Sequence, residues 1–118
     1  MTDHPWFQEF SGSITVCDTK GIIVEMNDAS VQTFQEQGGK NLIGTNVLDC
    51  HPEPSKSKLK HLLENRQTNV YTLEKNGVKK LVYQIPWFKN GVYGGLVELV
   101  LEIPHTLPHF IRNSSSAG

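Results

Sequence analysis

The sequence has little excess charge and no long apolar run. Lys and Arg together number 11 and Asp and Glu number 12, so the formal net charge of the 118-residue chain is −1. This balance excludes the strongly basic surface typical of nucleic-acid-binding proteins and gives no electrostatic attraction to a membrane. No apolar run approaches the ~18 residues of a transmembrane helix, and the first residues do not resemble a secretory signal. We therefore predict neither a nucleic-acid nor a membrane partner.

Cysteine is scarce, occurring only at Cys17 and Cys50. These residues lie too far apart in the chain to form a metal-binding pair, so no metal site is predicted. A disulfide and two free thiols both fit this spacing, and free thiols are the better fit for a chain without an export signal. We accordingly predict a cytoplasmic protein. With 37% hydrophobic residues, the chain is long enough to bury a real core as one domain.

Hydrophobic periodicity predicts two strands, several short helices and a three-strand meander. The expected strands cover 13–18, 22–27, 69–74, 78–89 and 93–103, with hairpin turns at Asn76-Gly77 and Asn90-Gly91. A helix over 29–35 is expected to be capped by Asn27 or Asp28, and a longer helix ending near Asn65 by Ser55 or Ser57. This order predicts an α+β domain with an antiparallel sheet and short helices packed mainly on one face.

Several motifs in this order resemble those of a PAS domain. They are Ile14–Ile23 with an acidic turn and a glycine, then Met26-Asn27-Asp28-Ala29, Leu42–Asp49 and Gly91–Glu98. The resemblance covers roughly 10–104 and implies a five-stranded antiparallel sheet in the order 2-1-5-4-3, with a pocket between the sheet and the helices. It divides the chain into an N-terminal flanking segment (1–12), a PAS-like domain (13–104) and a tail (105–118) whose last residues are expected to be disordered.

PAS domains are sensory and dimerisation modules that bind haem, flavin, small metabolites or no known ligand. The stretch Cys50–Ser55 resembles a subgroup that carries Cys-His-Pro before the longer helix, which narrows the relatives but not the ligand. The reactive cysteine of flavin light sensors is absent, since Asn46 is followed by Val47. The resemblance therefore leaves the cofactor unknown, with haem and flavin both open.

The candidate ligand-binding residues combine an apolar lining with one or two polar contacts, as small-ligand sites usually do. They are His51, Met26, Leu59, Leu62, Leu63, Tyr83 and Trp87. His51 has two interpretations, a ligand contact or a hydrogen bond that orders the proline-rich loop, and His51 or His61 are the candidates for binding haem iron. Glu98 and Glu102 share one strand face, which is expected to be solvated rather than a catalytic carboxylate pair. No catalytic residue is predicted.

These observations lead to a functional hypothesis, a stand-alone PAS-like sensory module that is not an enzyme. It would bind a small molecule or cofactor between sheet and helices and signal by protein contact, as a homodimer or with a separate signalling protein. Pro104 stands where a PAS sensor usually continues into a signalling helix. The alternative is a ligand-free dimerisation or interaction module, and a haem sensor or an enzyme using Cys50 or His51 is less favoured.

Overall fold

A five-stranded antiparallel sheet organises residues 4–114, the part of the chain that the computed structural model describes. The strands are β1 (Ser13–Cys17), β2 (Ile23–Met26), β3 (Asn69–Lys75), β4 (Val78–Lys89) and β5 (Val92–Glu102). Their order in the sheet is β2-β1-β5-β4-β3. The prediction of a five-stranded antiparallel α+β sheet in this order is confirmed.

One short helix precedes β1, and the other helices of the described chain lie between β2 and β3. The helices of the described chain are α1 (Pro5–Gln8), α2 (Asp28–Thr33) and α3 (Ser55–Asn65), with 3-10 turns at Gln35–Gln37, Gly39–Leu42 and Val47–Cys50. Asn27 is the N-cap of α2, and its side chain accepts a hydrogen bond from the Ser30 amide at 3.0 Å. The predicted capping of this helix by Asn27 is therefore confirmed.

The cap of α3 differs from the prediction. Ser55 is the first helical residue, and no side chain of the N-cap residue, Pro54, makes a capping bond. The Glu53 carboxylate takes this role, because it accepts hydrogen bonds from the amide (3.1 Å) and the hydroxyl (2.7 Å) of Ser57. The prediction that a serine caps α3 was wrong: Ser57 donates to the capping group and does not supply it.

The two faces of the sheet carry separate hydrophobic clusters. On the helix face, Cys17 and Leu96 pack with three leucines of α3. On the opposite face, here called the outer face, Ile14 and Val16 pack with Phe7 of α1. Alternate residues of β1 thus point to opposite faces and are buried on both sides, as all five residues of that strand are.

The two Asn-Gly turns close the meander as predicted. Asn76 and Asn90 have φ of 54° and 52°, and the glycine after each has φ of 79°. Two consecutive residues with positive φ match the two-residue hairpin turn that Asn-Gly favours. The domain boundaries at 13 and 104 stay a prediction, and the disorder predicted for the end of the chain concerns 115–118, outside the described residues.

Candidate functional site

A cavity of about 200 Å³ lies between the helix face of the sheet and the segments that join β2 to α3. Most of its wall is apolar, supplied by Ile23, Met26, Phe34, Leu42, Val47, Leu59 and Leu96. The cavity is smaller than the ~300–1,000 Å³ typical of sites for drug-sized ligands. Its volume therefore suits a compact molecule.

Three neighbouring strands place polar side chains on the floor of this cavity. Thr15 of β1 is paired with Glu98 of β5, and Glu98 is paired with Gln84 of β4. The Gln84 Nε2 group donates to Glu98 Oε2 at 2.8 Å, and Asn69 Nδ2 of β3 donates to Gln84 Oε1 at 2.9 Å. A chain of side-chain hydrogen bonds thus runs from the edge strand to a carboxylate in the cavity.

Chemistry fixes the orientation of the Gln84 amide within this chain. A carboxylate only accepts hydrogen bonds, so the NH₂ group of Gln84 must face Glu98. Its carbonyl oxygen then faces the Asn69 amide. The Glu98 side chain is thereby held in place, while its Oε1 makes no hydrogen bond to any residue of the described chain.

The charge of Glu98 affects two neighbouring groups. Burial is the main reason why the pKa of the Cys17 thiol is raised, and the charges of Asp18 and Glu98 add to that increase. Burial also raises the pKa of Tyr71, with Glu98 as the second cause. Among residues 4–114, no Lys or Arg forms an ion pair with Glu98, whose carboxylate accepts a hydrogen bond from Gln84.

His51 lines the cavity beside the start of α3. Its Nδ1 lies 2.6 Å from the carbonyl oxygen of Val47. Because a carbonyl oxygen only accepts, Nδ1 carries the hydrogen, and Nε2 of the neutral ring is then an acceptor. The loop-ordering bond considered from the sequence is present, and the ring also borders the cavity.

The other predicted site residues divide into three groups. Met26 and Leu59 line the cavity together with His51. Leu62 lines a second cavity, of about 290 Å³, which lies between α3 and β3 and shares His51, Leu59 and Gln84 with the first. Leu63 lines neither cavity and packs in the helix-face core.

Tyr83 and Trp87 require a correction, because they lie on the outer face and not at the cavity. Trp87 packs on the cluster of Phe7, Ile14 and Val16, and its Nε1 donates to the Cys17 carbonyl oxygen at 3.0 Å. Tyr83 is paired with Leu99, which packs on the same cluster. Alternation along β4 places Gln84, which lies between them in sequence, on the cavity side.

Two further candidates lie at or beyond the rim of the cavity. Cys50 is exposed and borders the opening. His61 lies on an exposed part of α3 and does not line the cavity. Its ring Nδ1 is 3.1 Å from the side-chain nitrogen Nδ2 of Asn65. Within residues 4–114, no group of three or more His, Cys, Asp or Glu side chains could hold a metal ion.

The polar cavity residues that sequence reasoning did not assign to the site are Thr15, Gln37, Gln84 and Glu98. It also missed the lining residues Cys17, Ile23, Phe34, Leu42, Val47 and Leu96. Glu98 was predicted to lie on a solvated face, but it is half-buried and lines the cavity. The available signal was a single carboxylate between apolar residues in the middle of a long strand.

Within residues 4–114, no helix is long and apolar enough to span a membrane.

No family model and no curated protein matches this sequence. Solved structures do match its fold. The Aer2 receptor from Vibrio cholerae, a dual PAS-heme oxygen sensor, is 18% identical with a TM-score of 0.57, covering 80% of this chain and 96% of that one. A C-terminal domain from Streptococcus mutans is 20% identical with a TM-score of 0.66, covering 81% of this chain and 78% of that one.

The PAS domain of BvgS from Bordetella pertussis is also similar, with 18% identity and a TM-score of 0.60. It covers 84% of this chain and 82% of the BvgS domain. Identities this low establish the architecture and not the ligand. The strand order, the packing of α3 on the sheet and these similarities together show that the chain has the fold of a PAS sensory domain.

Proposed function

We propose that this PAS-fold chain is a sensory module that binds a small molecule in the cavity between sheet and helices. The observation that carries the proposal is the cavity itself, which combines an apolar wall with the polar side chains of Thr15, Gln84 and Glu98. Concave sites with a mostly apolar lining and a few convergent polar groups are typical of small-ligand binding.

We further propose that occupancy of the cavity is passed on by protein contact, with a second copy of the chain as the favoured partner. The outer face supports this proposal because α1 covers only part of it. Val70 and Ile85 on that face are 45% and 37% exposed, and Trp6 of α1 is 65% exposed. A group of exposed apolar side chains on one face is typical of a protein interface.

The state of the cysteines supports a cytoplasmic, non-catalytic module. Cys17 and Cys50 are both free thiols, which fits a reducing compartment. A nucleophilic Cys50 would need a base, and within the described residues no hydrogen bond joins its thiol to the ring of the neighbouring His51, whose Nδ1 bonds the Val47 carbonyl oxygen instead. We therefore propose that neither residue is catalytic.

Native mass spectrometry tests the binding function directly. The protein is equilibrated with the low-molecular-mass fraction of a bacterial cell extract and compared with the variant Val47→Trp, whose larger side chain would occupy the cavity. We expect a non-covalent adduct on the native protein and its loss in the variant. The same spectra report whether the protein is a monomer or a dimer.

A matched surface variant, Val92→Trp, controls for the added indole, because Val92 is exposed and lies outside the cavity. An adduct that survives Val47→Trp would place binding elsewhere and refute the proposal. A native protein that carries no adduct under any condition would favour the alternative, a ligand-free interaction module.

A further inference from the structure

We propose that the cavity selects a small organic cation, namely a primary amine with a compact apolar body whose ammonium group binds Glu98. The inference rests on the proposed binding function and adds the chemical class of the ligand. It follows from the polar atoms that the cavity leaves without partners, from the charge of its wall and from its volume.

The first argument is the uncompensated carboxylate. Glu98 is half-buried and faces a mostly apolar cavity whose wall contains no Lys or Arg. A ligand that enters the cavity takes this carboxylate further out of water, which is costly unless the ligand brings an opposite charge or hydrogen bonds. Within residues 4–114 the carboxylate receives one side-chain hydrogen bond, from Gln84, and no ion pair. A cationic ligand supplies the missing charge.

The second argument is the polarity of the remaining free atoms. Gln84 donates to Glu98 and accepts from Asn69, so both ends of its amide are engaged. Gln37, an exposed residue of the cavity wall, has an amide that can donate or accept and so sets no preference. Oε1 of Glu98 makes no hydrogen bond within the described chain, and in the neutral His51 ring, whose Nδ1 donates to Val47, Nε2 is an acceptor. These two atoms call for a donor, and an ammonium group offers three N–H donors and no acceptor.

The third argument is the rigidity of the carboxylate. Asn69, Gln84 and Glu98 occupy paired positions on three adjacent strands, so the hydrogen-bond chain is built on the sheet and not on loops. A carboxylate held in this way keeps its position before the ligand arrives, which reduces the entropy cost of binding. The same negative charge disfavours carboxylate and phosphate ligands.

The apolar wall sets the body of the ligand. Seven aliphatic or aromatic side chains, among them Phe34, Met26 and Leu59, surround a space of about 200 Å³. This space suits a phenyl ring or a branched alkyl group with a short arm that reaches Glu98. A polyamine or a sugar would leave polar groups against this wall without partners.

Three probes with the same apolar body separate the possible ligand classes. They are 2-phenylethylamine, a cation; 2-phenylethanol, which is neutral; and 3-phenylpropionate, an anion. Binding is measured by isothermal titration calorimetry, and the site is located by NMR shifts of backbone amides around the cavity. We expect the amine to bind at least about tenfold more tightly than the alcohol, because hydrogen bonds between charged groups are stronger. The anion should bind most weakly.

Two charge-removing variants identify the carboxylate. Glu98→Gln keeps the shape of the side chain and an oxygen that can accept from Gln84, but it removes the charge. Glu102→Gln makes the same change on the same face of β5, where the residue is exposed and outside the cavity. We expect Glu98→Gln to weaken the amine by about tenfold while leaving the alcohol unchanged, and Glu102→Gln to change neither.

The outcomes distinguish the inference from the function on which it rests. If the alcohol or the anion binds as tightly as the amine, and Val47→Trp abolishes that binding, the cavity is a ligand site but the amine inference is refuted. An amine affinity that Glu98→Gln leaves intact also refutes it. If none of the probes binds, the inference is again refuted, and native mass spectrometry with the cell extract then decides whether the cavity binds any ligand.

Discussion

Replacing Asn27 with alanine should be among the most damaging single changes to this fold. The side chain is fully buried, with 0% relative exposure. Its Oδ1 accepts from the amides of Ile14 (2.9 Å) and Ser30 (3.0 Å), and its Nδ2 donates to the Gly12 carbonyl oxygen at 2.8 Å. One side chain therefore caps α2 and ties it to β1.

The magnitude follows from the groups that Asn27→Ala leaves without partners. Two buried amides and one partly buried carbonyl group lose their hydrogen bonds, and each buried unpaired group costs about 1–3 kcal/mol. Allowing for partial access of water to the carbonyl group, we expect a loss of about 3–5 kcal/mol in the free energy of unfolding. This is a large share of the ~5–15 kcal/mol typical of a domain.

Urea unfolding followed by circular dichroism measures this loss, and Asn46→Ala is the control. Asn46 also accepts from an amide, that of Leu48 at 2.9 Å, and donates to the Lys20 carbonyl at 3.0 Å. These groups are closer to solvent, so water can replace the lost bonds and the cost should be about 1 kcal/mol. Equal losses in the two variants would refute the reasoning that burial makes Asn27 special.

Three further predictions concern the pH dependence of stability, thiol reactivity and backbone geometry. Hydrogen bonds from Ser57 at the start of α3 lower the pKa of Glu53. They therefore stabilise the fold above the unfolded-state pKa, and this stabilisation is lost as the pH falls through the folded-state pKa. In thermal melts, Glu53→Gln should have a lower melting temperature than the native protein at neutral pH, and the difference should shrink in acid. Burial raises the pKa of Cys17, so peptide mapping after brief iodoacetamide treatment should find the exposed Cys50 modified and Cys17 intact, and equal labelling would contradict the structure. Gly95 has φ of +136°, and a Cβ at this position would collide with the Cys17 carbonyl oxygen. Gly95→Ala should therefore abolish cooperative unfolding. Gly44 has φ of +95° but open space around it, so the control variant Gly44→Ala should be only mildly destabilising.

The strands and turns were predictable because their signals are local. An Asn-Gly pair favours the positive φ that a two-residue hairpin needs, and alternation of apolar residues predicts a strand. The predicted range 78–89 of β4 matches the observed Val78–Lys89. The cap of α3 was missed because the capping group is the Glu53 side chain, which accepts from the Ser57 amide. Glu53 precedes Pro54 and lies outside the position where a serine or threonine cap is expected.

Tyr83 and Trp87, predicted to line the pocket, lie on the other side of the sheet. Tyr83 and Trp87 do share a face, as the period of two predicts. That face packs on Phe7, because α1 lies on the outer side and buries apolar residues there. Alternation tells which residues point the same way and contains no information about which side the helices cover. The position of α1, which is a tertiary feature, determines on which side of the sheet Tyr83 and Trp87 are buried.

Glu98 and Glu102 show the same limit at the candidate site. The two carboxylates share a face of β5, and the sequence assigns them one environment. In the structure, Glu98 is paired with Thr15 and Gln84 near the middle of the sheet, under the segments that join β2 to α3. Glu102 is paired with Lys80 at the far end of β5, beyond the cavity, and is exposed. What distinguishes them is the covering layer, whose placement depends on contacts between residues far apart in sequence, and this difference makes Glu102→Gln a stringent control for Glu98→Gln.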